Sequence, residues 1–366
     1  MNMVTKQHAR GPRPLVSIVA PCHNEGQGLR EFHRRSSAAA SGVAGDAYEI
    51  VLVDDGSRDD TWLVIAALAS EDHRTIGVKL MRNFGHQPAA SAGLSVARGE
   101  RVLLIDSDLQ DPPELLDAMM QHMDEGADVV YGQRIAREAE TPFKLWSAKL
   151  FYRLLSRLTS TPIPHDTGDF RLMRRSVVDA LATMPERQRF IRGMVSWIGG
   201  SQVALPYDRQ ARFAGTTNYP LVKMIRFAVV AITSFSTVPL RLASYLGVFA
   251  AMLSIPLLVY SLAGWWSGSN IAGWTSVITA VTVFGAVQLL VLGVLGEYLG
   301  VVFEEIKARP LYLIDRVMAV GEEHAWPADF SHLSAPARRD LVDAISTSAA
   351  RLSSPAIINF PATVAQ

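Results

Sequence analysis

From Leu242 to Gly296 the chain carries no charged residue. The stretch holds two apolar runs, roughly Leu242–Trp266 and Ala272–Gly296. Each exceeds the about 18 residues that cross the hydrocarbon core of a bilayer. Gly264, Ser267, Gly268, Ser269 and Asn270 break the stretch where a hairpin would turn. Two buried core helices are the rival assignment, but core helices rarely run so far without charge. The expectation is a transmembrane hairpin with spans at 242–266 and 272–300. Its connector lacks Lys and Arg, whereas Lys223, Arg226 and Arg241 precede the pair and Lys307, Arg309 and Arg316 follow it. Cationic flanks stay on the cytoplasmic side, so both termini are expected at the cytoplasmic face of the inner membrane. The first apolar run, LVSIVA from Leu15, is too short for a secretory signal, which leaves the large N-terminal part in the cytoplasm.

This stretch accounts for a charged fraction of only 19%, against a usual value of about 25%. Over the whole chain 35 Lys and Arg balance 35 Asp and Glu. That balance argues against a general nucleic-acid binder. The one cysteine, Cys22, excludes an internal disulfide and a Cys-rich zinc site.

Residues 15–135 alternate between short apolar runs and helical patterns. Strands are expected at Leu15–Ala20, Tyr48–Val53, Ile76–Met81, Arg101–Ile105 and Asp128–Tyr131. Helices are expected near Gly28–Ala40, Asp60–Ser70, Gln87–Ala97 and Glu114–Asp124. Pro112 and Pro113 suit the first turn of the last one. Such alternation predicts an α/β fold with a parallel sheet, whose ligands bind at the carboxyl ends of the strands. The acidic strings fall there: DDGS follows Val53, and DSDLQDPP follows Ile105.

Asp106 and Asp108 are carboxylates one residue apart beyond a buried strand. Hard oxygen ligands at such a place suit Mg²⁺ or Mn²⁺, which would neutralise a leaving diphosphate. Asp54 and Asp55 could accept hydrogen bonds from a base or ribose, or serve as turn residues. His23 lacks a second His at ligand spacing and is not read as a metal ligand. No G-x-G-x-x-G or GxxxxGKS string occurs, which disfavours dinucleotide oxidoreductases and P-loop NTPases.

Thr141–His165 carries Lys144, Lys149, Arg153 and Arg157 and no acid, with Phe143, Trp146, Leu150, Leu154 and Leu158 at helical spacing. From Arg209 to Gly296 there is again no acid. Basic amphipathic segments of this kind suit an anionic membrane surface. Residues 301–316 read as a juxtamembrane segment. Residues 317–366, rich in Ala, Ser and Pro, read as a partly disordered tail, and residues 1–14 as a flexible start.

The strings APCHNE, VLVDDGSRDDT, RNFGHQPAASAGL and LLIDSDLQDPPE resemble family 2 glycosyltransferases with a GT-A fold. HDTGDFRLM, RFAGTTNYPLVKMIRF, FSTVPLR and LGEYLGVVFEEIKARPLY resemble one branch, the membrane-bound polyprenyl-phosphate glycosyltransferases of the bactoprenol glucosyltransferase and dolichol-phosphate mannosyltransferase type. The resemblance covers about residues 15–315. It implies a catalytic domain over 15–218 and an interfacial helix at 219–241. Pro21, His23, Glu25, Asp54 and Asp55 would line the nucleoside pocket, with Ser107 beside them. Asp106 and Asp108 would handle the donor diphosphate and a Mg²⁺ or Mn²⁺ ion, with Gln110 as a further metal ligand. Asp169 matches the acid usually proposed as catalytic. Arg134 and Arg171 would lie near donor or acceptor phosphates, and Arg209, Arg212 and Lys223 would meet the acceptor phosphate. Many relatives read SKY where this chain has Thr217-Asn218-Tyr219, which removes one cation.

The implied reaction is inverting transfer of a sugar, glucose first, from a UDP-sugar to a polyprenyl phosphate, with a homo-oligomer as an expected assembly. GDP-mannose or a UDP-N-acetylhexosamine remains an alternative donor. A processive synthase would need more spans and a Q-x-x-R-W string, which Gln188-Arg189-Phe190 does not match. A non-catalytic scaffold or flippase partner would use the apolar hairpin alone, and the absence of intramembrane charge disfavours a transport path.

Overall fold

The computed structural model describes residues 13–135, 167–208, 238–266, 273–307, 309–319 and 322–325. The segments at 141–160 and 209–237, with Arg209, Arg212 and Lys223, lie outside the described residues, as do residues 1–12 and 326–366.

Strand β1 (Val16–Cys22) is buried along its whole length, as expected for a Val/Ile-rich strand covered on both faces. It pairs in parallel with β2 (Tyr48–Asp54) on one side and β4 (Arg101–Leu104) on the other. Strand β3 (Thr75–Leu80) continues the parallel set beside β2. The connecting helices are α1 (Leu29–Ala44), α2 (Thr61–Glu71) and α3 (His86–Val96). Alternate side chains of the strands feed two cores. Ile18, Ile50 and Leu52 pack with Leu29 and Phe32 of α1 and Ile65 of α2, while Val19, Val51 and Val53 pack with α3 on the opposite face. Helix α3 comes very close: a Cβ on Gly93 would lie 2.4 Å from Val19 Cγ1. The strand order 3-2-1-4 reverses direction between β1 and β4, and ligand crevices open at such a switch point.

The nine-stranded sheet runs β7-β5-β6-β4-β1-β2-β3-β8-β9. After α4 (Leu116–Asp124) come β5 (Val129–Arg134) and β6 (Thr167–Arg174). Strand β6 inserts antiparallel between β4 and β5. Helices α5 (Arg175–Thr183) and α6 (Ile191–Ile198) follow, then β7 (Gln202–Tyr207), parallel to β5. The parallel core expected from the sequence is therefore flanked by antiparallel strands.

Two long helices come next, α7 (Val238–Trp266) and α8 (Trp274–Ile306). Among the described residues one stretch, Val283–Ile306, is long and apolar enough to cross a membrane. Leu289, Leu299 and Ile306 on it are exposed, an arrangement that water disfavours. The chain then returns to the sheet. Strand β8 (Ile314–Ala319) pairs antiparallel with β3, and β9 (Glu322–Ala325) pairs with β8. This corrects the expected boundary at 316: the first residues assigned to the tail are strands, and Val317 and Ala319 are core residues.

Candidate active site

At the carboxyl ends of β1 and β4, the turn after β4 meets the end of β1, the start of α3 and β6. Beyond β4, the chain turns through Asp106-Ser107-Asp108. Ser107 Oγ donates to the Pro21 carbonyl at 3.1 Å, which ties this turn to the end of β1. Asp108 Oδ1 accepts the Gln110 N–H at 3.1 Å. Between them Leu109 has φ 63°, a left-handed conformation uncommon for a branched side chain.

The antiparallel register of β6 explains how a distant acid reaches this turn. Leu104 faces Arg171 and Leu103 faces Leu172. Extended by two residues, the same register carries Asp169 toward Asp106. Alternation puts Asp169 and Arg171 on one face and the core residues Phe170 and Leu172 on the other. That polar face is the α3 side of the sheet, where His86, Gln87 and Arg192 lie.

Asp169 is the hub. His86 Nε2 lies 3.1 Å from its Oδ2, and Gln87 Nε2 donates to the same oxygen at 2.7 Å. Arg192 Nε donates to Oδ1 at 3.0 Å. Burial would raise the Asp169 pKa, but Arg192 and His86, with Arg171 behind them, hold it well below the usual carboxylate range. His86 Nε2 also stands 3.4 Å from Asp106 Oδ1. Burial would lower the His86 pKa, but the Asp169 hydrogen bond and the charges of Asp106 and Asp169 raise it to about 9. Asp106 is pushed up to about 6, by burial first and then by the neighbouring acids. Burial also lowers the Arg171 pKa to about 10, and its Nε is buried without a hydrogen-bond partner.

The other residues singled out from sequence have definite places. Both oxygens of Asp55 accept backbone N–H groups, Phe84 at 2.7 Å and Gly85 at 2.9 Å, and so fix the entry to α3. Asp54 Oδ1 accepts the Ser57 N–H at 3.0 Å, while its Oδ2 is buried with no hydrogen-bond partner. His23 approaches the Asp55 carbonyl at 3.1 Å and the Asn83 side chain at 3.2 Å. The Glu25 N–H donates to Thr61 Oγ1 at 3.0 Å. Pro21 is the strand residue that accepts from Ser107. Arg134 donates to Tyr207 Oη at 3.2 Å and reaches Asp111 at 3.5 Å, and Tyr207 Oη itself donates to Asp111.

The structure thus brings Asp106 and Asp169, both singled out from the sequence, together with His86, Gln87 and Arg192, which were not, and places Arg134 with Asp111 and Tyr207, also not singled out. The signal for His86 and Gln87 was present in RNFGHQPAASAGL, and Arg192 lies just past the Gln188-Arg189-Phe190 string.

The donor set suits a hard divalent cation. Asp106 Oδ1 is buried and makes no hydrogen bond, with His86 Nε2 standing off at 3.4 Å, and Asp108 is buried two residues away. Among the described residues no group of three or more His, Cys, Asp or Glu encloses a metal. A Mg²⁺-like ion commonly takes one or two carboxylates and completes its shell with substrate phosphates, so the pair fits that mode.

Residues 17–182 match the family model described as Glycosyl transferase family 2. The chain is 42% identical over 303 residues to "Uncharacterized glycosyltransferase YkcC" of Bacillus subtilis (strain 168), covering 82% of this chain and 93% of that protein. It is 37% identical over 308 residues to the SfII prophage-derived bactoprenol glucosyl transferase of Shigella flexneri, covering 82% and 97%. Among solved structures, the mannosyltransferase PcManGT from Pyrobaculum calidifontis in complex with GDP-Man and Mn²⁺ superposes with a TM-score of 0.40 at 17% identity, covering 79% of this chain and 88% of that one.

Proposed function

The chain belongs to glycosyl transferase family 2, and from that premise we propose that it transfers glucose from UDP-glucose to a polyprenyl phosphate at the cytoplasmic face of the inner membrane. The observation that carries this reading is the meeting of the Asp106/Asp108 turn with the Asp169 hub at the switch point of the sheet. The relatives named bactoprenol glucosyl transferase support both the sugar and the acceptor class. The apolar helix α8 supports seating of the domain at a membrane.

The acceptor phosphate oxygen attacks the anomeric carbon from the face opposite the leaving nucleotide, and one displacement inverts the centre. Asp108 and Gln110, with Asp106, would hold a Mg²⁺ or Mn²⁺ ion, whose chemistry when bound is to neutralise charge on the diphosphate. The protein side of the site supplies fixed positive charge from His86, Arg171 and Arg192, which favours anions on either side of the bond being exchanged. The acceptor brings its own nucleophile. The second pKa of a phosphate monoester is about 6, so its oxygen is anionic at neutral pH and needs little deprotonation. Asp169, held ionised, then orients and polarises. Arg209, Arg212 and Lys223 are proposed to bind the acceptor phosphate, and the basic segments at 141–160 and 219–241 to lie on the membrane, with two spans at 242–266 and 272–300.

The test is incubation of membranes containing the protein with polyprenyl phosphate and a panel of labelled nucleotide sugars, followed by lipid extraction and mass measurement. A hexosyl polyprenyl phosphate formed from UDP-glucose is expected. A product from GDP-mannose or a UDP-N-acetylhexosamine instead would reassign the sugar, and no labelled lipid with any donor would refute the reading.

A further inference from the structure

We propose that Gln87 is a positioning residue that sets the direction of the Asp169 carboxylate during transfer, an inference that rests on the glycosyl-transfer reading above. A glutamine amide has one accepting end and one donating end. The Ile191 backbone N–H can only donate, and it lies 2.9 Å from Gln87 Oε1. That contact fixes which end faces which way. Gln87 Nε2 is left pointing at Asp169 Oδ2, at 2.7 Å. A flipped amide would set N–H against N–H and a carbonyl oxygen against a carboxylate, so the side chain has one stable polarity.

Two helices therefore hold Asp169 at both oxygens. From α3, His86 and Gln87 take Oδ2. From the first turn of α6, Arg192 takes Oδ1, and its neighbour Ile191 orients the amide on Oδ2. Positive charge near Asp169 is already supplied by His86, Arg171 and Arg192. What Gln87 adds is a neutral donor of fixed polarity. It matches an ionised acid, and it joins α3 to α6 across the reacting side of the sheet.

The discriminating variant is Gln87→Glu. It is nearly isosteric and still accepts the Ile191 N–H, but it brings a second carboxylate to Asp169. The charged groups facing that pair are His86 on α3, Arg192 on α6, Arg171 on β6 and Asp106 beyond β4. While the introduced acid keeps its proton, its O–H replaces the amide N–H. Once it ionises, the two carboxylates repel and Asp169 turns away.

Full-length protein in vesicles is assayed with UDP-glucose and polyprenyl phosphate. At neutral pH, kcat of Gln87→Glu should fall by about 10-fold to 100-fold, the usual cost of a misplaced reacting group. KM for the donor should change little, and activity as a fraction of wild type at the same pH should recover as pH is lowered. Gln87→Met keeps the bulk and loses both hydrogen bonds, so it should show the same fall with no recovery. Unchanged kcat in both variants, a flat pH response for Gln87→Glu, donor KM rising in step with lost kcat, or failure of both variants to fold would each overturn the proposal. No transfer by the wild-type protein overturns the glycosyl-transfer reading itself, whereas equal transfer by wild type and Gln87→Glu overturns this proposal alone.

Discussion

Asp169 is buried, which by itself would favour the neutral acid, yet the cations gathered around it keep it ionised. An acid in that state has no proton-accepting step to titrate near neutrality. Asp169→Asn should therefore lower kcat by about 10²–10³-fold, the scale for removing a preorganised electrostatic contact, while removing no limb near neutrality from the kcat/KM–pH profile; only the His86 titration, which Asp169 helps to hold up, should move to lower pH. A wild-type limb near neutrality that vanishes in the variant would instead identify a true general base. His86 makes the complementary prediction. Its folded pKa is raised above the ordinary 6.5 to about 9. Its stabilising link to Asp169 is thus complete below pH 6.5 and is lost as pH rises through about 9. The side chain is 42% exposed, and solvent screening limits the link to about 1 kcal/mol. Thermal unfolding of wild type and His86→Asn should differ at about pH 6 and converge above the His86 pKa. An equal gap at both pH values would remove the charge from the explanation. At this scale the sequence was legible where chemistry is contiguous, as in Asp106-Ser107-Asp108. It was silent on His86, Gln87 and Arg192, because their meeting depends on strand register and on a loop rather than on spacing along the chain.

The elements show why the loops can carry this site. The DDGS turn after β2 needs its glycine: Gly56 has φ 62°, and a Cβ there would lie 2.4 Å from the backbone of Arg82 and Asn83. The turn thereby comes against the 82–85 segment whose N–H groups bind Asp55, and that segment leads into His86 and Gln87. Gly56→Ala should cost about 3 kcal/mol through backbone strain and steric clash. A lowered unfolding midpoint in circular dichroism would be the readout, and an unchanged midpoint would show that the two loops part freely. The parallel strands were readable because each is a short Val/Ile/Leu run. Strand β6 was not, since Thr167, Asp169 and Arg171 give it a polar face that serves the site rather than the core. Strand β8 escaped because it follows α8, and nothing local in IDRVMA says that the chain returns to β3.

Across the whole molecule, the return of the chain to the sheet ties the apolar helix to the chemistry. Near the end of α8, Glu305 Oε1 accepts the Arg187 N–H at 2.8 Å. Arg187 opens a short segment that Arg189 anchors by donating to the Leu181 and Met184 carbonyls, each at 2.8 Å. The segment continues into Ile191 and Arg192, which orient Gln87 and hold Asp169. Just beyond α8, Tyr312 Oη donates to Ser95 Oγ on α3 at 2.8 Å, so both helices that grip Asp169 are referenced to the same stretch of chain. A shift of α8 in its surroundings would then be felt at the acid through a few hydrogen bonds rather than through the bulk of the domain. Removing one such contact changes coupling by about 0.5–2 kcal/mol. Glu305→Ala should accordingly slow transfer to polyprenyl phosphate in vesicles by about tenfold, which corresponds to about 1.4 kcal/mol, with nucleotide-sugar binding unchanged. Glu305→Gln keeps an acceptor for the Arg187 N–H and should retain most of the rate. Equal rates for Glu305→Ala and wild type would mean that the helix end and the Asp169 hub are neighbours without being coupled. Loss of donor binding in Glu305→Ala would mean that the contact maintains the fold of the 184–192 segment instead.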